Sequence, residues 1–117
     1  MSDFKKLKVW QKAHALALRT SDMAGKIRGA THSSLRSQMI RSAQSIDANI
    51  VEGRGQKTDA EFCRYLRIAV NSSNELESHA IMGYDLGAIR KQEYVSFVEQ
   101  LVEVRKMLHG LINKLGG

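Results

Sequence analysis

The sequence contains no proline, a single cysteine at Cys63, and aromatic residues at only 6%. One thiol excludes an internal disulfide framework, and with it the small secreted domains that depend on one. No apolar run approaches the roughly 20 residues that a membrane-spanning helix needs. No charged, apolar leader with a small-residue cleavage site precedes Phe4, so a cytoplasmic protein with no membrane association is expected. Low-complexity blocks are missing as well. With 43% hydrophobic and 26% charged residues and nine glycines, the composition is that of a folded globular chain. Its 117 residues accommodate one domain over 1–117 with its own core, and not two.

Acidic charge is scarce in one half only. Residues 1–60 carry 11 Lys or Arg against 5 Asp or Glu, whereas residues 61–117 carry 7 of each, so the net charge of +6 sits in the first half. A one-sided positive field favours polyanions, nucleic acid above all.

Four stretches have helical periodicity and none alternates as a strand does, so the fold class is all-α. The first helix is expected over Leu7–Arg28, with Gly29 as its C-terminal cap and Ser33 or Ser34 capping the next. The second runs over Leu35–Glu52 and ends in the Gly53–Gly55 turn. Thr58 and Glu61 then form a capping box that starts the third. That helix reaches Leu86, where Gly87 offers a left-handed exit. The fourth, over Lys91–Leu115, lacks a good capping residue at its start.

The fourth helix places Phe97, Leu101, Val104, Leu108 and Leu115 on one face, as a bundle helix should. The third carries Phe62, Leu66, Ala69, Leu76 and Ala80, with a second apolar edge of Cys63, Val70 and Ile81. The second likewise has two strips, Leu35, Met39, Ile46 and Ile50 on one and Ile40 with Val51 on the other. A solitary bundle needs one strip per helix; the surplus points to subunit contacts, against the alternative of scattered surface hydrophobes.

Beside the core strip of the second helix, Gln38, Ser42, Ser45 and Asn49 recur as a polar stripe flanked by Arg41 and Glu52. In the third helix Ser72 and Ser73 fall inside the apolar arc, with Glu75 and Glu77 on its flanks. Arg105 sits within the apolar face of the fourth and calls for a carboxylate such as Glu52, Glu75 or Glu77. Such a set can fix register between helices or subunits; the alternative is a solvated edge with a snorkelling arginine.

Three stretches, "LKVWQKA" (Leu7–Ala13), "QMIRSAQSIDANIVEG" (Gln38–Gly53) and "EFCRYLRIAVNSSNELESH" (Glu61–His79), resemble the signature blocks of the 23S rRNA-intervening sequence protein family. The resemblance covers nearly the whole chain. It departs from the family pattern at Asp47, where a proline is usual, at Val51, where an alanine is usual, and at Asn71, where a glycine is usual. The resemblance implies a left-handed up-down antiparallel four-helix bundle assembling into a ring-like homo-oligomer, most often a homopentamer, with no enzymatic activity and no cofactor. The family is also similar to the accessory variability protein of diversity-generating retroelements, which implies a reverse transcriptase or ribosomal RNA context for its partners.

Independently of that resemblance, Lys5, Lys12, Arg19 and Lys26 recur every seven residues in the first helix, and Lys8 joins the same face. At 1.5 Å per residue this ridge would extend about 30 Å. Along the helix, only Asp22 is placed to neutralise part of it. RNA or DNA phosphates would bind such a ridge with little regard to sequence; the alternative is a solvated lysine face. Trp10, on the opposite arc, reads as a core or interface anchor. The histidines, His14, His32, His79 and His109, are dispersed, and neither catalytic nor metal-ligating residues are expected. "GRGQKT" (Gly53–Thr58) follows a helix where a phosphate loop would need a strand, although Arg54 and Lys57 there can extend a phosphate-binding surface. The leading expectation is a non-enzymatic basic oligomer that binds nucleic acid; the second is a purely structural or protein-interaction oligomer.

Overall fold

Two glycines in the left-handed region, Gly29 at φ 93° and Gly87 at φ 76°, mark turns between the helices of this computed structural model, which describes residues 3–117. The first two residues of the expected domain lie outside the described residues. A short 3-10 turn over Phe4–Lys6 precedes α1 (Lys8–Gly25), and a second over Ala30–His32 precedes α2 (Ser33–Arg54). α3 spans Asp59–Asp85 and α4 spans Lys91–Lys114. All four expected helices are present, and the described residues contain no strand.

The first turn differs most from expectation. α1 stops at Gly25 and not Arg28, because the amides of Lys26 and Ile27 tighten onto Met23 and Ala24 and carry the Ile27 side chain into the core. Gly29 thus bends the chain four residues past the helix and caps nothing in α1. Arg36 braces the turn beyond the helix: its Nη1 donates to the carbonyls of Ile27 and Gly29, at 3.0 and 2.8 Å. Neither Ser33 nor Ser34 caps α2; both lie inside it, and the capping position is His32 with no side-chain bond.

At the α2–α3 turn the Thr58 hydroxyl accepts from the Glu61 amide at 3.1 Å. Only that half of the capping box forms, since the Glu61 carboxylate turns to Arg64. α2 continues through Gly53 because a bare Cα is needed there: a Cβ would stand 2.8 Å from Phe62 Cδ1 and 2.9 Å from Tyr65 Cβ. At the end of α3 the Gly87 amide bonds Tyr84 O and the Ala88 amide bonds Gly83 O, the paired closure that a left-handed residue permits. α4 starts at Lys91, and Arg90 before it gives no side-chain cap, as the sequence indicates.

Cross-links fix the direction of every neighbour. Trp10 reaches Asp47 while Arg36 reaches Ile27, so α1 and α2 run antiparallel. Ser45 meets Ser72 and Gly53 meets Phe62 for α2 and α3, and Glu77 meets Arg105 while Cys63 meets Ile112 for α3 and α4. The bundle measures 45 × 21 × 20 Å. Its core runs the full length, from Val9, Ile50, Phe62 and Leu108 to Met23, Met39, Ala80 and Phe97.

The apolar surplus has a simpler explanation than subunit contacts alone. Cys63 and Val70 are buried in the core cluster, and Ile40 and Val51 are half-buried. Each bundle helix has two neighbours, so a helix set deep between them spends both edges internally. Of the α3 edge only Ile81 remains largely in solvent, at 41% exposure.

Candidate nucleic-acid interface

The polar stripe is a groove between α2 and α3 whose floor is hydroxyl and whose rim is charged. Ser42, Ser72 and Ser73 are buried; Ser45 and Asn49 are half-buried; Gln38, Arg41, Glu52 and Glu75 are exposed. Ser42 and Ser73 donate back to their own helices, to Gln38 O at 2.8 Å and Val70 O at 2.6 Å. They satisfy themselves and leave the helix faces free to approach. Within α2, Asn49 Nδ2 donates to Ser45 O and Oγ, and across the seam Ser45 Oγ lies 2.8 Å from Ser72 Oγ. Since Ser45 Oγ accepts from Asn49, its own hydrogen is available to Ser72. The Ser45–Ser72 contact joins α2 to α3 inside the bundle, and the other hydrogen bonds of the stripe stay within α2. Its outer part, lined by Gln38, Arg41, Ser42, Ser45, Glu75 and His79, is an open groove of about 390 Å³.

Arg105 finds Glu77, one of the three expected carboxylates. Its Nη1 donates to Glu77 Oε1 at 2.6 Å, Nη2 donates to the same oxygen, and Nη1 also reaches Asn74 Oδ1 at 3.1 Å. Glu52 and Glu75 take no part. This pair locks α3 to α4 where Ser45 and Ser72 lock α2 to α3.

The basic ridge divides into two parts. Lys12, Arg19 and Lys26 face α4: Lys12 Nζ lies 3.7 Å from Glu103, Arg19 Nη1 donates to Gln100 Oε1 at 3.0 Å, and Lys26 Nζ sits between Asp22 at 3.4 Å and Glu93 at 3.8 Å. Arg19 also lies over the Phe97 ring, 5.8 Å from its centroid. Three of the five ridge residues thus form a ladder along the α1–α4 seam, matched by a second polar series on α4. The ion pairs are well exposed and individually weak, but they set carboxylates beside each lysine, and an approaching phosphate would meet both.

Lys5 and Lys8 behave differently. Lys5 lies in the 3-10 turn before α1, and Lys8 opens α1; neither has a carboxylate partner among the described residues. The antiparallel order brings the start of α1, the α2–α3 turn and the end of α4 to one end of the bundle, and Lys8 shares a surface groove with Lys114. Arg54 and Lys57 of the turn join them, with Lys6, Arg64 and Arg67. Four carboxylates, Asp3, Glu52, Asp59 and Glu61, lie in the same segments. Of these cations only Arg64 is paired among the described residues, with Glu61 at 3.0 Å. That hydrogen bond, with the charge of Glu61 behind it, raises the pKa of Arg64 above its ordinary value. The Arg54 side chain makes no hydrogen bond among the described residues, and its Nε is buried without an acceptor.

At the opposite end Arg36 is spent on backbone carbonyls and Lys26 on Asp22 and Glu93, while Arg28, Arg90 and Lys91 have no ion-pair partner among the described residues. Apolar side chains stand out there instead, with Met82 and Leu86 of α3 and Val95 of α4 exposed by 54%, 53% and 47%.

Residues 5–110 match the 23S rRNA-intervening sequence protein family. The chain belongs to that family. It is also similar to a crystal structure of a protein of unknown function from the S23 ribosomal protein family of Bacteroides thetaiotaomicron, with 27% identity and a TM-score of 0.83, over 89% of this chain and 97% of the other. No curated protein matches. Two of the blocks that carry the family resemblance, Gln38–Gly53 and Glu61–His79, form the two walls of the α2–α3 groove. The basic end lies partly outside them. Sequence reasoning identified Lys5, Lys8, Arg54 and Lys57, and missed Lys6, Arg67 and Lys114, which the antiparallel order of four helices was enough to place.

Asp47, at the position where the family resemblance expects proline, was also missed. It receives the Trp10 indole N–H at 2.7 Å and His14 Nδ1 at 2.8 Å, and His14 stacks on Trp10 with ring centroids 4.8 Å apart. None of the described helices is long and apolar enough to cross a membrane.

Proposed function

We propose that this protein is a non-enzymatic, homo-oligomeric scaffold that binds nucleic acid through the basic end of the bundle. The observation that carries this is the concentration of unpaired cations where Lys5, Lys8, Arg54, Lys57, Arg67 and Lys114 converge, while Lys12 and Lys26 have carboxylates beside them. Each phosphate neutralised by such a group releases a condensed counterion, so affinity comes without base reading and falls steeply with salt. The ridge of α1 contributes through Lys5 and Lys8; its remaining members belong to the bundle.

Self-association is proposed through the opposite half, where Ile81, Met82, Leu86 and Val95 are exposed. Burying that half would leave the basic ends free, and a ring of copies, five in number by family resemblance, would add their fields together. A ribosomal RNA or a reverse transcriptase with its template would be a fitting partner. The direct test is a titration with a fluorescent nucleic acid at two salt concentrations alongside light scattering. Affinity that drops between 50 and 200 mM salt, from a multimeric species, supports the reading. Absence of binding at the lower salt would leave a purely structural oligomer.

A further inference from the structure

We infer that the basic end recognises the backbone of double-stranded nucleic acid in preference to a single strand, an inference that rests on the binding proposed above. Proteins that hold single strands stack the bases on open aromatic faces, and each of the seven aromatic residues here is buried or half-buried. Phe62 and Phe97 are buried. Phe4 and Trp10 meet edge to face with centroids 5.1 Å apart, and Trp10 is stacked on His14. The Arg64 guanidinium covers the Tyr65 ring at 4.6 Å. Tyr84 and Tyr94 stack on each other at 4.7 Å, in the last turns of α3 and the first of α4, at the other end of the bundle from Lys5, Lys8, Arg54 and Lys57. All seven aromatic residues of the chain are thus committed to intramolecular contacts.

Charge density points the same way. The bundle is 21 × 20 Å across, so its end covers about 20 Å of a nucleic acid axis. Over that length a duplex presents about 12 phosphates, and one strand at the same rise about half as many. Lys5, Lys6, Lys8, Arg54, Lys57 and Arg67, with Lys114, have no ion-pair partner among the described residues, and they come from separate segments: the 3-10 turn and start of α1, the α2–α3 turn, the first turns of α3 and the end of α4. An extended strand crossing that end would leave part of the set unmatched, whereas the two strands of a duplex supply phosphates on both sides of a groove.

The test uses the full chain and three labelled 20-nucleotide probes at equal phosphate concentration: an RNA duplex, a DNA duplex and an unstructured single strand. Fluorescence anisotropy at 50 and 200 mM salt reads affinity and salt slope. Binding of either duplex at least tenfold tighter than the single strand is the expected result, and the two duplex arms show which helical form is preferred. A single strand that binds as tightly as both duplexes overturns the duplex preference and leaves nucleic-acid binding in place. Failure of all three probes to bind overturns both. The variant Lys57→Ala/Lys114→Ala should lower duplex affinity several-fold with an unchanged circular dichroism spectrum; unchanged duplex affinity would also count against the inference.

Discussion

Asp47 holds Trp10: one oxygen of the carboxylate accepts the indole N–H at 2.7 Å, across the α1–α2 seam. The other oxygen faces His14 Nδ1 at 2.8 Å, and because a carboxylate only accepts, the proton of that contact belongs to the imidazole. One side chain on α2 thereby orients two stacked rings on α1. Asp47→Ala removes both acceptors and leaves a half-buried indole N–H unpaired, at a cost of about 1–3 kcal/mol. Asp47→Asn retains one acceptor and should lose less. Urea unfolding followed by the emission of Trp10, the sole tryptophan, measures both. Equal stability of Asp47→Ala and the parent would show that the clamp contributes nothing.

Gly53 and Gly110 predict opposite responses to the same substitution. Both lie within helices, where alanine is favoured over glycine by about 1 kcal/mol. At Gly110 nothing lies within 4 Å of an added Cβ, so Gly110→Ala should stabilise by roughly 0.5–1 kcal/mol. At Gly53 the methyl would press on the Phe62 ring, the Tyr65 Cβ and the Phe62 carbonyl, the last at 3.2 Å. Backbone cannot yield as a flexible side chain does, so Gly53→Ala should destabilise by about 1–3 kcal/mol in spite of its propensity. Thermal melts of the two variants decide the sign.

Arg105 and Glu77 are only 18% and 30% exposed on their side chains, which places them between a surface pair and a buried one. A double-mutant cycle with Arg105→Met and Glu77→Gln should return a coupling of about 1 kcal/mol, at the upper end of what exposed pairs give. A coupling indistinguishable from zero would make the contact incidental. Ser45→Ala, tested in the same way against Ser72→Ala, should cost about 1 kcal/mol, since removing Ser45 Oγ deprives both Asn49 and Ser72 of a partner.

Self-association has its own test. Replacing Met82 and Val95 by lysine alters two exposed positions and no core contact, so the fold should persist while the multimer dissociates. Light scattering that reports the parent mass for this variant would place the subunit contact elsewhere.

The helices themselves were legible because their apolar period is regular and their turns carry glycine or a hydroxyl cap, as at Thr58 and Gly87. Arg105 announced its need for a carboxylate by lying on an apolar face, and one of three nominated partners proved correct. The ridge was half legible. Its spacing was visible in α1, but Arg19 pairs with Gln100 across 81 positions of sequence, and no local pattern shows that α4 brings Glu93, Gln100 and Glu103 alongside. Asp47 was hidden for a related reason: its partners are on α1, and a lone acid on a helix flank looks the same whether solvated or engaged. The basic end was assembled from chain segments that are each unremarkable alone.

The most direct measurement compares two triple variants for salt-dependent binding of one duplex probe. Lys5→Ala/Lys8→Ala/Lys57→Ala removes charge from the end of the bundle, and Lys12→Ala/Arg19→Ala/Lys26→Ala removes the same charge from the α1–α4 seam. The account predicts that the first flattens the log affinity against log salt by roughly two to three phosphate equivalents, while the second leaves the slope near that of the parent. A seam variant that loses as much as the end variant, or an end variant that loses nothing, would contradict it.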